Sequence, residues 1–163
     1  MTPQIDKHAQ TLLALSEALK AELTAAHQYL LHSRMCHNWG YHSLAHHNRK
    51  EATEELAHAE LLMDRIIALD GAPNMRDLFP ITDCANVREQ VASDLALERD
   101  AIARLNEAIR VAGDTGDNVS RRIFDQILAD EDHHLGYLEG QLHIINEIGF
   151  ELYLAQHINE PAQ

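Results

Sequence analysis

The sequence predicts an all-α fold: an antiparallel four-helix bundle with a long crossover between helices two and three, plus a short C-terminal fifth helix. Three observations predict it. Helix breakers are scarce, with Gly 7 and Pro 4 among 163 residues. Apolar residues recur at three- and four-residue spacing along four long stretches, and nothing alternates like a strand. The segments between those stretches are short, long, short, which sets the order in which helices pair. Residues 1–163 are read as one domain of a size that can bury a single core.

The first helix is expected from about Ile5 to Asn38, with Leu12, Leu15, Leu19, Glu22, Ala26 and Tyr29 along one face. The second runs from about Tyr41 to Leu69 on Leu44, Asn48, Glu51, Glu55, His58, Leu62, Ile66 and Leu69. DGAP at 70–73 ends it, Gly71 taking the left-handed cap and Pro73 refusing further helix. The third begins near Asn86, where NVRE reads as a capping box, and carries Val87, Val91, Asp94, Glu98, Ile102, Leu105 and Ile109. GDTGDN at 113–118 stops it and offers Asp117 or Asn118 as the next cap. The fourth presents Phe124, Ile127, Glu131, His134, Leu138, Leu142 and Ile145, and a fifth pattern spans roughly 150–158. The short links at 38–41 and 113–117 make antiparallel hairpins. The link at 70–82 reaches about 43–47 Å when extended, against about 42 Å for a helix of ~28 residues. It can therefore run the length of the bundle and set helix three parallel to helix two.

A net charge of −13 disfavours nucleic acid as a partner. No basic-then-apolar leader and no apolar run of membrane-spanning length are present, so a cytoplasmic protein with no membrane partner is expected. Cys36 and Cys84 form no C-x-x-C and are read as free thiols.

Each apolar stripe is interrupted by groups that burial penalises. Glu22 follows Leu15 and Leu19 in phase, Glu98 follows Val87 and Val91, and Glu55 with His58 and Glu131 with His134 break the other two. A buried carboxylate must be paired, protonated or bound to a cation. With 12 His in the chain, two Glu-x-x-His motifs are near what chance supplies; their register is the stronger argument. Glu22 and Glu55 are 33 residues apart, as are Glu98 and Glu131, and the two halves superpose at an offset of 76. Folded about the short turns, each hairpin sets its lone Glu level with its Glu-x-x-His. Four carboxylates then meet two imidazoles at mid-bundle, a set that two divalent cations would neutralise. Oxygen-rich ligation with one nitrogen per metal suits iron or manganese. One Glu from each of two helices and Glu-x-x-His from the other two is the arrangement of ferritin-like di-iron and di-manganese proteins.

Beyond those six residues the chain resembles bacterioferritin along nearly its whole length. The stretches that carry the likeness are ELTAAHQYLLHSRMCHNWG (22–40), EELAHAELLMDRIIALDGAPN (54–74), SDLALERD (93–100) and ILADEDHHLGYLE (127–139). The resemblance implies a ferritin-like bundle with an intrasubunit ferroxidase centre holding two iron ions. Glu55 and Glu131 would bridge them, Glu22 with His58 completing one site and Glu98 with His134 the other; Tyr29 matches a tyrosine beside the centre. It also implies iron storage and detoxification: a homo-oligomeric shell of 24 subunits oxidises Fe(II) with dioxygen or hydrogen peroxide and keeps the ferric mineral inside.

Two positions depart from that family. Its haem is ligated by a methionine directly after the first bridging glutamate, and here that residue is Leu56, which has no lone pair to give iron. Met63 lies two turns away, so haem is predicted absent, and a shell mixed with a haem-binding sister chain stays open. An inner-surface iron site of some members falls on Lys50 and Glu54, where the lysine disfavours a cation. Asn38 and Asp70 match places near an intersubunit pore, whereas Gly136 and His143 do not fit it. His8, His27, His32, His37, His42, His46, His47, His133, His143 and His157 are expected at the surface. His133 is turned about 100° from His134 on the helix and stays outside the site.

Three rival readings compete with this one. A rubrerythrin-type oxidase or peroxidase would bring a C-x-x-C module that this chain lacks. A manganese catalase or small di-metal oxidase shares the ligand logic. The third is a shell subunit with an inactive centre.

Overall fold

Each of the four stripes lies on one helix, and the four helices turn those stripes towards a shared interior. The structure, a computed structural model, describes residues 6–159. It comprises α1 (Lys7–Trp39), α2 (His42–Ala68), α3 (Val87–Thr115), α4 (Asn118–Ile148) and the short α5 (Phe150–Ala155). The expected start of the first helix at Ile5 lies outside the described residues. Helix α5 stops earlier than the pattern suggested, because residues 156–159 leave the helical path as turn and bend.

Local chemistry sets the ends. The Asp6 carboxylate accepts from the His8 N–H to open α1. At α3 the Asn86 side chain accepts from Glu89 N–H at 3.0 Å while Glu89 reaches back to the Ala85 N–H at 2.8 Å, so the capping box forms. Asp117, not Asn118, caps α4. At the end of α2 the sequence reading needs correction. Asp70 takes the left-handed conformation at φ 56, and Gly71 follows it. The two amides close the turn, Asp70 N–H to Ile67 C=O and Gly71 N–H to Ile66 C=O. Glycine is needed at 71 for room rather than for φ: a Cβ there would stand 2.7 Å from Leu12 Cδ2 and 2.9 Å from Ile66 Cγ2.

Cross-helix bonds fix the directions. His8 meets the Leu69 carbonyl, and Ser33 donates to the Ala45 carbonyl at 2.7 Å, so α1 and α2 are antiparallel. Thr11 meets Thr115 at 3.0 Å and Cys36 donates to Gln90 at 3.1 Å, so α1 and α3 are antiparallel as well. Helices α2 and α3 therefore run parallel, and the link between them is the crossover. It is anchored along its course. Gly71 abuts Leu12, Lys20 pairs with Asp77 at 3.2 Å, and the Phe79 N–H donates to Thr24 at 2.9 Å. Lys20 and Arg104 lie over the Phe79 ring at 4.3 and 4.2 Å.

Beside a small cluster of Ala25, Tyr29 and Ala52, the core has two large apolar clusters with a polar level between them. One contains Leu15, Leu19, Leu62, Ile66, Leu105, Phe124 and Ile127. The other contains Leu44, Val87, Val91, Leu138, Ile145 and Tyr153, the last brought in by α5. Each fully buried aliphatic or aromatic side chain contributes about 1.5–3 kcal/mol. Cys36 and Cys84 are free and buried. Among the described residues no helix is long and apolar enough to cross a membrane.

One capping site also ties helices together. Asp117 accepts from the Ser120 N–H at 3.0 Å, and its two oxygens accept from Arg65 Nη2 at 2.7 and 2.9 Å. Burial alone would raise its pKa; the Ser120 amide and the Arg65 guanidinium outweigh that and hold it below the usual aspartate range. A depressed folded-state pKa gives stability that is complete above the unfolded pKa and is lost as pH falls through the folded one. Asp117→Ala is therefore expected to lower unfolding free energy by about 1–2 kcal/mol at neutral pH, with a smaller difference from the parent in acid, measured by urea denaturation across pH.

Candidate metal centre

Between the two apolar clusters, at a level near the middle of each helix, the stripe carries carboxylate instead of hydrocarbon. Glu22 stands on α1 and Glu98 on α3; a three-residue step puts Glu55 and His58 on one face of α2, and Glu131 and His134 on one face of α4. The structure brings all six together. The four carboxylates are at most 2% exposed, and both imidazoles are buried.

They fall into two sets that share two members. In one, Glu22, Glu55, His58 and Glu131 place ligand atoms within 4.8 Å of one another; in the other, Glu55, Glu98, Glu131 and His134 do so. His58 Nδ1 lies 3.1 Å from Glu22, 3.3 Å from Glu55 and 3.2 Å from Glu131. His134 Nδ1 lies 3.1 Å from Glu55, 3.2 Å from Glu131 and 3.9 Å from Glu98. Tyr29 reaches across from α1, its hydroxyl donating to Glu98 Oε1. The same register in the other half is Leu105, so Glu22 has no matching phenol.

Electrostatics follow from burying so many acids together. Burial pushes the Glu22 and Glu98 carboxyls well above their ordinary range, and neighbouring carboxylates add to it. Burial also opposes charge on the imidazoles, yet the surrounding carboxylates win and raise both His58 and His134. Burial would likewise raise Glu131, but the two imidazoles pull it below its usual value. The Tyr29 phenol is pushed well up, by burial first and by Glu98 second. The imidazoles are thus biased towards supplying positive charge among the acids. Even so, Glu55 Oε1, Glu98 Oε2 and Glu131 Oε1 are buried with no hydrogen-bond partner. Three orphaned carboxylate oxygens facing two imidazole nitrogens fit a pair of divalent cations.

Three acids at the outer edge of the imidazoles escaped the sequence reading of the site. Asp130 lies 3.2 Å from His58 Nε2. Glu51 and Glu54 lie 3.0 and 3.3 Å from His134 Nε2. A signal was there: Glu54 and Asp130 directly precede Glu55 and Glu131 and share the offset of 76. Lys50 pairs with Glu54 at 2.8 Å. These groups line a cleft of about 750 Å³ between α2 and α4.

The remaining residues divide as follows. His32 is a correction: it is fully buried, because Asp94 on α3 opposes it at 2.9 Å and Gln28 steadies that carboxylate at 2.7 Å. His8, His27, His37, His46, His133 and His143 are exposed, and His42, His47 and His157 are half-buried. Leu56 points away from the core and is 48% exposed. Asn38, Asp70, Gly136 and His143 are all at the surface and outside the cluster.

Comparison with known proteins gives a consistent result. A family profile described as a ferritin-like domain matches residues 12–148. The chain is 44% identical over 152 residues to a bacterioferritin of Mycolicibacterium paratuberculosis, covering 93% of this chain and 96% of that one. It is 43% identical over 150 residues to a bacterioferritin of Mycobacterium tuberculosis, covering 92% and 94%. A bacterioferritin of Brucella melitensis is 42% identical over 139 residues, covering 85% and 86%.

Tyr29→Phe would leave both oxygens of Glu98 without a donor. A loss of about 1–3 kcal/mol is expected in the metal-free protein, read as a lower thermal midpoint in chelator, with part of it recovered on adding a divalent cation.

Proposed function

The chain belongs to the bacterioferritin family of ferritin-like proteins, and from that premise we propose that it is a ferroxidase that stores the iron it oxidises. The observation that carries this reading is the pair of ligand sets that share Glu55 and Glu131, with three of their oxygens left unpartnered.

Fe(II) is the substrate. Glu22, Glu55, His58 and Glu131 would hold one ion, and Glu55, Glu98, Glu131 and His134 the other. Bound iron supplies one electron per ion. With dioxygen as acceptor, two Fe(II) and two protons give two Fe(III) and hydrogen peroxide. With hydrogen peroxide as acceptor, two Fe(II) and two protons give two Fe(III) and two waters.

The protein's own part is positioning and charge. Hard anionic oxygens favour the more highly charged ion, so four carboxylates bias the pair towards Fe(III). The shared glutamates keep the two ions neighbours, and the imidazoles limit how the set can rearrange. Tyr29 holds Glu98 in place through its hydroxyl. Apolar layers on both sides exclude bulk water and strengthen every interaction at that level. Ferric product passes to the interior of a cytoplasmic shell of 24 copies, either of this chain alone or with a haem-binding sister chain. With Leu56 in the methionine position, this chain gives haem no axial ligand.

Glu55→Ala and Glu131→Ala are each expected to reduce Fe(II) oxidation to the uncatalysed rate, followed by stopped-flow absorbance. Size exclusion with light scattering should show a shell of roughly 440 kDa from 18.4 kDa chains that retains iron after aerobic loading. A dimer that oxidises iron and releases it would replace storage by a small oxidase. Haem reconstitution should give no Soret band; a strong band would overturn the reading of Leu56.

A further inference from the structure

The two imidazoles are held from outside as well as from within. Each ring turns Nδ1 towards three of the four glutamates and Nε2 towards the cleft between α2 and α4. There His58 Nε2 meets Asp130 at 3.2 Å, and His134 Nε2 meets Glu51 at 3.0 Å and Glu54 at 3.3 Å. The partners are exchanged between helices. Asp130 on α4 faces the ring carried by α2, and Glu54 on α2 faces the ring carried by α4.

Taking the proposed centre as given, we infer that Asp130 and Glu54 are positioning residues that select the imidazole tautomer able to bind metal. A neutral imidazole has one N–H and one lone pair. With the N–H on Nε2 and donated to an outer carboxylate, the lone pair falls on Nδ1, among the glutamates. The opposite tautomer would direct an N–H at the cations and a lone pair at a carboxylate, which is unfavourable at both ends. An outer carboxylate also raises the basicity of the ligating nitrogen, and removing such a partner commonly weakens metal binding 10–100-fold. Because each acid comes from the facing helix, the same two contacts pin α2 against α4 across the cleft.

The two halves are unequal. Asp130 is the outer partner of His58 among the described residues, whereas His134 has both Glu54 and the buried Glu51. Lys50 also draws on Glu54 at 2.8 Å. The His58 half therefore depends on one residue, and the His134 half on two.

The test is anaerobic Co(II) titration of the whole protein, followed by visible ligand-field absorption and by the hyperfine-shifted N–H resonances of bound imidazole. The parent should bind two Co(II) and show two such resonances. Asp130→Ala is expected to weaken one Co(II) by about 10–100-fold and to lose one resonance to solvent exchange, leaving the other ion unchanged. Asp130→Asn keeps an oxygen that accepts the same hydrogen and should restore most of the affinity. Glu54→Ala should act on the other ion and more mildly, because Glu51 remains. A merely structural role would lower the melting temperature of Asp130→Ala while leaving both resonances and both affinities as in the parent, and that result overturns the inference. A parent protein that binds no Co(II) would instead overturn the proposed centre.

Discussion

Four glutamates on one level of a helix bundle, with almost no water to solvate them, are the constraint from which the rest of the structure follows. Burying one carboxylate without a partner costs several kcal/mol, and here four stand within reach of each other. The side chains at that level meet part of that cost themselves. The surrounding carboxylates favour the charged form of both imidazoles, Glu22 and Glu98 are pushed towards their neutral forms, and Tyr29 donates to one oxygen. The compensation is incomplete, as the orphaned oxygens of Glu55, Glu98 and Glu131 record. A bundle built only for stability would place hydrocarbon at these positions, as it does in the apolar clusters towards either end.

The duplicated hairpin explains why the site has two halves and where they differ. An offset of 76 residues maps Glu22, Glu54, Glu55 and His58 onto Glu98, Asp130, Glu131 and His134. The same offset maps Tyr29 onto Leu105 and Glu51 onto Ile127, so the phenol and the second outer acid serve the Glu98–His134 half alone. Two cations bound here would meet related but unequal surroundings.

The crossover is what allows two similar hairpins to face each other. With α2 and α3 parallel, each Glu-x-x-His helix is set antiparallel to the other, and the outer acids can be exchanged between them. Its own contacts hold it against α1: Asp77 to Lys20, Phe79 to Thr24, and the tight approach of Gly71 to Leu12. Lys20 and Arg104 over the Phe79 ring add fixed charge–quadrupole contacts at the middle of its path.

Periodicity, breakers and register are one-dimensional properties, and they carried a great deal. The four long helices, the capping box at Asn86, the crossover and the convergence of six ligand-type residues were legible because each depends on spacing along a helix and on a link's reach. What spacing could not convey is which atom meets which across helices. Asp130 draws no notice in the sequence, and Glu54 reads only as a match to an inner-surface iron position, until the opposite helix supplies each with an imidazole. His32 looks like one more surface histidine until Asp94 arrives from α3, and Gly71 looks like a left-handed cap until Leu12 leaves it no room for a Cβ. Those facts belong to distances between segments far apart in the chain. The sequence by itself determined the helices and the level at which charge is buried; only the tertiary structure decided the partners of that charge, because a hydrogen bond's direction and a steric contact exist between elements and not within one.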